Sequence, residues 1–196
     1  HDSDTCDAVT QRPGSFRAIR RGIEAIAQTD AKWISNTCIV SRNVATLTEI
    51  VELAADHGAS GAELWNVWPR MDDAELREEI VPVATIAPQL QRALDRCEER
   101  GLPTTVKWFP KCLLGRHAAR HDDSQPTALI DAAYWSKLPG YSCLFSGVCS
   151  DGQNCAGLSH AYVERHGWEA HRLAPNRDLR DAVALQLEGA TRPAKP

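Results

Sequence analysis

The stretch "CLFSGVCSDGQNC" spaces Cys143, Cys149 and Cys155 with five residues in each interval, and Gly147 and Gly152 stand between them. A fourth thiol, Cys112, precedes them in "FPKC", so four of the seven cysteines fall between residues 112 and 155. Thiolates on glycine-containing loops suit an iron–sulfur cluster, because the glycines let backbone amides approach the sulfurs. Four cysteines also suit tetrahedral structural zinc, which His117, His121 or His160 could join. Disulfides are the third possibility. Spacing by itself does not separate iron from zinc.

The remaining cysteines carry less chemistry. Cys38 lies in a β-branched stretch and Cys97 on an apolar helical stripe. Both are expected to be core residues, since a free cysteine behaves as a small hydrophobe. Cys6, in the opening loop, has no evident role.

These residues must be positioned by regular elements. "GSFRAIRRGIEAIAQ" places Phe16, Ile19, Ile23 and Ile26 on one helical stripe, with Ser15 as the expected cap. "KWISNTCIVS" reads as a buried strand. "TLTEIVELAADHG" reads as a helix with a Thr46/Glu49 capping box and a Gly58 stop. "GAELWNVWP" is a second strand, "IAPQLQRALDRCEERG" a third helix and "LPTTVKWFP" a third strand. The acidic connection "RMDDAELREEIVPVA" reads as solvated surface.

Strict alternation of helix and strand predicts a parallel sheet with helical crossovers. Three such strands leave edges open. The expected fold class is therefore α/β, the C-terminal half of a partial βα barrel with parallel strands. The expected divisions are residues 1–110 for the half barrel, 111–175 for an irregular Cys-rich extension and 176–196 for a partly disordered tail.

In a βα barrel the carboxyl ends of the strands form the active face. Asn36, mid-strand among apolar residues, is expected either to point inward at cofactor or substrate or to tie neighbouring backbone. Trp68, before Pro69, either reaches that mouth or caps the core. Asn66 shares its strand parity and is expected as polar lining. Arg42 and Asn43 in "SRN" are either a ligand pair or turn chemistry. Cys112 follows the third strand closely and sits at the same mouth.

Composition sets outer bounds. The chain has 196 residues, 43% hydrophobic and 24% charged, which is globular rather than disordered. A net charge of −4 argues against a broad nucleic-acid-binding face. No apolar run reaches the ~18 residues of a membrane span. The chain opens "HDSDTCD" without a basic-then-apolar signal, so it reads as cut from something longer and is expected in a reducing, cytoplasmic compartment.

Taken in order, these stretches resemble the radical S-adenosylmethionine enzymes. "HDSDTCDAVTQRPGSFRAIRRGIEAI" is similar to the segment after that family's fourth strand. "WISNTCIVSRNVATLTEIVELAADHGASGAELWNVWP" resembles its fifth strand, fifth helix and sixth strand, most of all in the molybdenum-cofactor and peptide-maturase branches. "FPKC" with the tail ending "CAGLSHAY" is similar to the auxiliary-cluster extension. The resemblance covers about residues 1 to 165.

It implies S-adenosylmethionine as cofactor and an auxiliary [4Fe–4S] cluster on Cys112, Cys143, Cys149 and Cys155. It also implies an adenine contact from the Trp68 backbone, with Asn36, Arg42, Asn43 and Asn66 near cofactor or substrate. Tyr162 is expected to pack beneath the site. Ile34 stands where the molybdenum-cofactor relatives have a substrate-binding lysine, and Ser146 where the maturase extension has the second cysteine of a C-x-x-C pair. The family's C-x-x-x-C-x-x-C loop is not in these residues, so the expected partner is an N-terminal barrel half and the chain alone is expected to be inactive. From another class, the competing expectation is a non-catalytic, metal-stabilised module that docks on a partner chain.

Overall fold

The computed structural model describes residues 2–124, 136–152 and 154–173. The proposed 176–196 tail lies outside the described residues. Two short helices open the chain, α1 (Ser3–Thr10) and α2 (Ser15–Ile26). Asp2 caps α1 by accepting from the Thr5 N–H at 2.8 Å. Ser15 does not cap α2. Asp7 does so from the preceding helix, accepting from the Gly14 and Phe16 N–H groups at 2.5 and 3.0 Å. Gly14 makes this turn possible with φ of 83°.

Strand β1 (Ile34–Ile39) leads through a single 3₁₀ turn into α3 (Leu47–Asp56). The expected capping box does not form, because the Thr46 hydroxyl turns back to the Asn43 carbonyl at 3.2 Å. Strand β2 (Gly61–Asn66) follows, then the short helix α4 (Ala74–Glu78), which Asp73 caps. The acidic run around α4 is not merely solvated. Glu79 holds Ser41 and Arg42, Glu78 pairs with Arg165, and Arg77 with Glu164. Helix α5 (Val83–Glu99) and strand β3 (Thr104–Lys107) complete the alternation.

The strands form one parallel sheet in the order β1-β2-β3. Asn36 stands opposite Glu63, which stands opposite Thr105; Cys38, Trp65 and Lys107 form the next row. One face carries Ile39, Ala62, Leu64 and Val106 into a core with Leu47 and Val51 of α3 and Ile86, Leu90, Leu94 and Cys97 of α5. Each such fully buried aliphatic side chain contributes about 1.5–3 kcal/mol. Cys97 is thus a core residue, 1% exposed. Cys38 is not: it is exposed, because it shares parity with Asn36 and Ile34 on the face that α3 and α5 leave uncovered.

The two sheet edges differ. Beside β1, the α1–α2 pair and α3 enclose an apolar groove of about 430 Å³ lined by Val9, Phe16, Ile19, Ile23, Ile34 and Leu53. No residue of α1 or α2 is buried. Beside β3, Val106 bridges to His121 and accepts from the Asp122 N–H at 3.0 Å, so that edge is partly covered rather than open.

Beyond β3 the chain makes 3₁₀ turns at Lys111–Leu113 and Gly115–Arg120. Strand β4 (Gly140–Tyr141) then pairs antiparallel with β5 (Leu158–Ser159), followed by α6 (His160–His166) and α7 (Ala170–Leu173). The extension is not core-poor among the described residues. Leu114, Phe145, Leu158, Tyr162 and Leu173 continue the same apolar cluster as the sheet. No helix of the described residues is long and apolar enough to cross a membrane.

Tyr162 joins the two regions. Its hydroxyl accepts from the Val83 N–H at 2.8 Å, at the start of α5, and donates to Glu169. Burial, and then the Glu169 contact, raise its pKa. Tyr162→Phe leaves the fully buried Val83 N–H unpaired and is expected to cost about 1–3 kcal/mol, read as a lower thermal midpoint with an unchanged far-UV spectrum.

Candidate functional site

Parallel strands place their carboxyl ends along one side of the sheet; two groups of residues gather there and a third lies on the uncovered sheet face. The first is the cysteine set. Cys112, Cys143, Cys149 and Cys155 all line one cavity of about 130 Å³, closed by Phe145, Leu158 and Leu173. Cys112 is exposed as a residue, yet its Sγ donates inward to the Leu173 carbonyl at 2.8 Å. Burial of that sulfur and the nearby Cys155, Cys143 and Cys149 thiols push its pKa up to about 12. Burial raises Cys143 as well. Lys111, also on this cavity, pairs with Asp151 at 2.6 Å and fastens the Cys149–Cys155 loop to the end of β3.

Cys155 differs from its companions. Burial raises its pKa, but the His121 side chain and the Lys111 and Gly157 backbones outweigh it, and the net shift is downward. His121 moves the opposite way. Burial would lower it, but Asp123 and Cys155 outweigh burial and push it up to about 9. The three side chains bring one ligand atom each within 4.8 Å of the others.

The second group is an aromatic cleft of about 470 Å³. Trp68, Trp108, Tyr141, Asp123 and Cys155 line it. Trp108 sits 5.1 Å from Trp65 and 5.9 Å from Trp68, centroid to centroid. Trp108 adopts φ of 57°, a left-handed conformation uncommon for a large side chain. The Asp123 carboxylate holds it there by accepting from the Trp108 N–H at 2.6 Å.

The third group lies on the uncovered sheet face. Glu63 accepts from the Asn36 side-chain amide at 3.2 Å and from the Trp65 indole at 2.9 Å. Lys107 stands 5.5 Å over the Trp65 ring and donates to the Ser124 carbonyl at 3.1 Å.

The five sequence-derived contact residues therefore separate. Asn36 is on the uncovered face and Trp68 in the cleft, where its indole donates to the Leu138 carbonyl at 3.1 Å. Asn43 serves the turn: it accepts from the Val40 N–H at 2.9 Å and donates to the Cys38 carbonyl at 2.8 Å. Arg42 is held by Glu79 at 2.5 Å, away from the cysteines. Asn66 does not line the uncovered face. It shares parity with Ala62 and Leu64, and is buried with an Oδ1 that has no hydrogen-bond partner.

No protein-family model matches this chain, and no curated protein or solved structure matches it either.

The histidines divide too. His117 pairs with Asp95 at 2.8 Å on α5, and Arg116 completes that cluster with Asp95 and Glu98 as an ion-pair network. His160 stacks on Tyr141 at 3.9 Å. His121 groups with Asp123 and the cavity cysteine Cys155. Glu63, Trp65, Lys107, Trp108 and Asp123 went unnoticed in the sequence. The signal for two of them was present: Glu63 in "GAELWN" and Lys107 in "TTVKW" are the single charged residues of otherwise uncharged strands.

Proposed function

We propose that this chain is the C-terminal part of a radical S-adenosylmethionine enzyme, with an auxiliary iron–sulfur cluster on Cys112, Cys143, Cys149 and Cys155. The observation that carries the reading is the convergence of these four thiols on one cavity at the carboxyl end of β3. A cavity of about 130 Å³ is roughly four times the ~30 Å³ that one water occupies in the liquid, more than a single ion needs. Zinc bonded to four sulfurs at about 2.3 Å would hold them near 3.8 Å from one another. Among the described residues, no three of these thiols come within 4.8 Å of each other, which favours a wider group such as a cluster.

The sheet supports the barrel half of the reading. Parallel sheets are almost always covered on both faces or closed into barrels. Here α3 and α5 cover one face, while Ile34, Asn36 and Cys38 stay exposed on the other. A barrel wall completed by further strands would turn Asn36, Glu63, Trp65 and Lys107 into its lumen. The groove beside β1, already bordered by α2, is where the next strand would pair.

A cluster bound on the C-x-x-x-C-x-x-C loop of the other half would supply the electron for S-adenosylmethionine cleavage. This chain's residues would bind and orient. Trp68 offers its backbone at the end of β2 to the adenine, and Asn36 with Glu63 offers polar contacts to the reactant. The apolar wall of Phe145, Leu158 and Leu173 would keep water from an auxiliary cluster held there. The substrate class follows the resemblance, a peptide or a cofactor precursor.

The test is co-expression with a barrel segment bearing C-x-x-x-C-x-x-C, anaerobic reconstitution and detection of 5′-deoxyadenosine under reducing conditions. Its formation, and its loss on Trp68→Pro, are expected. A stable, metal-loaded complex that never yields 5′-deoxyadenosine would favour the non-catalytic docking module instead.

A further inference from the structure

His121 presents an anomaly. Its side chain is only 2% exposed, and its Nε2 lies 3.1 Å from Asp123 Oδ2. Nevertheless Nε2 makes no hydrogen bond. A buried ring nitrogen without a partner is costly, and such groups ordinarily find one. Asp123 is itself 9% exposed at its side chain. Its Oδ1 accepts from the Trp108 N–H at 2.6 Å and its Oδ2 from the Ala156 N–H at 2.7 Å. Each carboxylate oxygen thus keeps a further lone pair. Those two bonds tie the end of β3 to the residue after Cys155 and fix the carboxylate's direction, as outer-shell contacts do for metal ligands.

We propose that His121, Asp123 and Cys155 form a mononuclear site for a divalent transition metal, with zinc or ferrous iron the best suited. The three ligand atoms lie within 4.8 Å of one another, the spread that a single ion can draw together. A nitrogen, an oxygen and a sulfur donor make a borderline set, favoured by these ions over magnesium or calcium. Asp123 and Cys155 also line the aromatic cleft, so a fourth coordination position opens toward Trp68 and Trp108. Three protein ligands plus an open position is the arrangement of metal sites that bind a water or a small ligand rather than only brace the fold. The cleft beyond, about 470 Å³, admits a small polar molecule with an aromatic-stacking face.

The inference does not rest on the iron–sulfur reading. Cys155 belongs to both donor sets, and a thiolate has lone pairs enough to bind this ion alone or to bridge to a group in the neighbouring cavity. The donors unique to each set keep the two readings apart.

The test uses the whole chain, stripped of metal, reduced, and titrated anaerobically with cobalt(II) and no sulfide. One tightly bound cobalt with a thiolate charge-transfer band and tetrahedral d–d bands is expected. His121→Ala and Asp123→Ala should weaken binding by at least about 100-fold, beyond the 10–100-fold that outer-shell partners carry. Cys112→Ser and Cys149→Ser should leave it within about threefold. His121→Cys controls for a folding defect: it should restore binding with a more intense charge-transfer band from the second thiolate. Absence of cobalt binding to the folded wild-type chain overturns the proposal. So does a cobalt signal that survives His121→Ala but vanishes in Cys149→Ser, which would place the ion among the four cysteines. Iron and sulfide retention by His121→Ala, measured separately, reads the cluster without reference to this site.

Discussion

After anaerobic reconstitution the chain is expected to retain about four sulfide ions and at least about four iron ions, and Cys143→Ser or Cys149→Ser to reduce sulfide to background and iron to no more than about one per chain. Elemental analysis and the visible absorption of the reconstituted protein measure this. The effect is expected to be near-complete, because a serine in place of a ligand removes one of four anchors from a cavity whose other walls are Phe145, Leu158 and Leu173. Cys97→Ala is the control. Its sulfur lies on the buried face of α5, and its removal should cost about 1–2 kcal/mol of stability while iron stays unchanged. Cys38→Ala is a second control with a different expectation, since an exposed residue leaves no cavity and stability should move by less than ~0.5 kcal/mol. Stoichiometric zinc without iron after reconstitution would refute the cluster. Iron loss in Cys97→Ala would show that the wrong thiols had been chosen.

The contrast between Cys38 and Cys97 also shows what could be read from the residues. Alternation of helical and β periodicity led correctly to three parallel strands and the helices between them, because those periods are set by backbone geometry and burial together. That Cys112, Cys143, Cys149 and Cys155 would come together was legible from their clustering on glycine-punctuated loops, although spacing did not say what the cavity they line would hold. What periodicity does not reveal is which face of a strand is covered. Cys38, Asn36 and Asn66 were misjudged or left open on that account, since covering depends on where α3 and α5 pack and not on β1 or β2 themselves. The turn role of Asn43 was one of the two readings open in "SRN", whereas that of Thr46 was hidden, because its hydroxyl bonds to backbone whose position is a tertiary outcome. Asp123 was invisible for a further reason. Its partners Trp108 and Ala156 are 15 and 33 residues away, and no local pattern announces such a bond.

In the absence of further strands the chain is expected to associate with itself along β1, and Ile34→Lys is expected to weaken that association. The physical cause is an uncompensated edge. Strand β1 pairs with β2 on one side, while its other side faces a groove rather than a strand. Ile34 is 55% exposed and Ile19 48% exposed on the borders of that groove. Unpaired strand backbone flanked by apolar side chains is a template for another strand. The β3 edge offers less, since His121 and Asp122 already occupy part of it. Association should therefore run through a single edge and give dimers rather than open fibres, because one edge per chain closes when two copies meet. Lysine at position 34 places a charge where the second copy must pack, and should raise the apparent dimer Kd at least about tenfold, or ~1.4 kcal/mol. Sedimentation across a concentration series measures it. Co-expression with a complementary barrel segment should replace the dimer by a 1:1 complex, since the segment's strand would occupy the same edge. A chain that remains monomeric at every concentration, and that forms no complex with such a segment, would show that the β1 groove is satisfied from within and would remove the main structural support for a barrel shared with further strands.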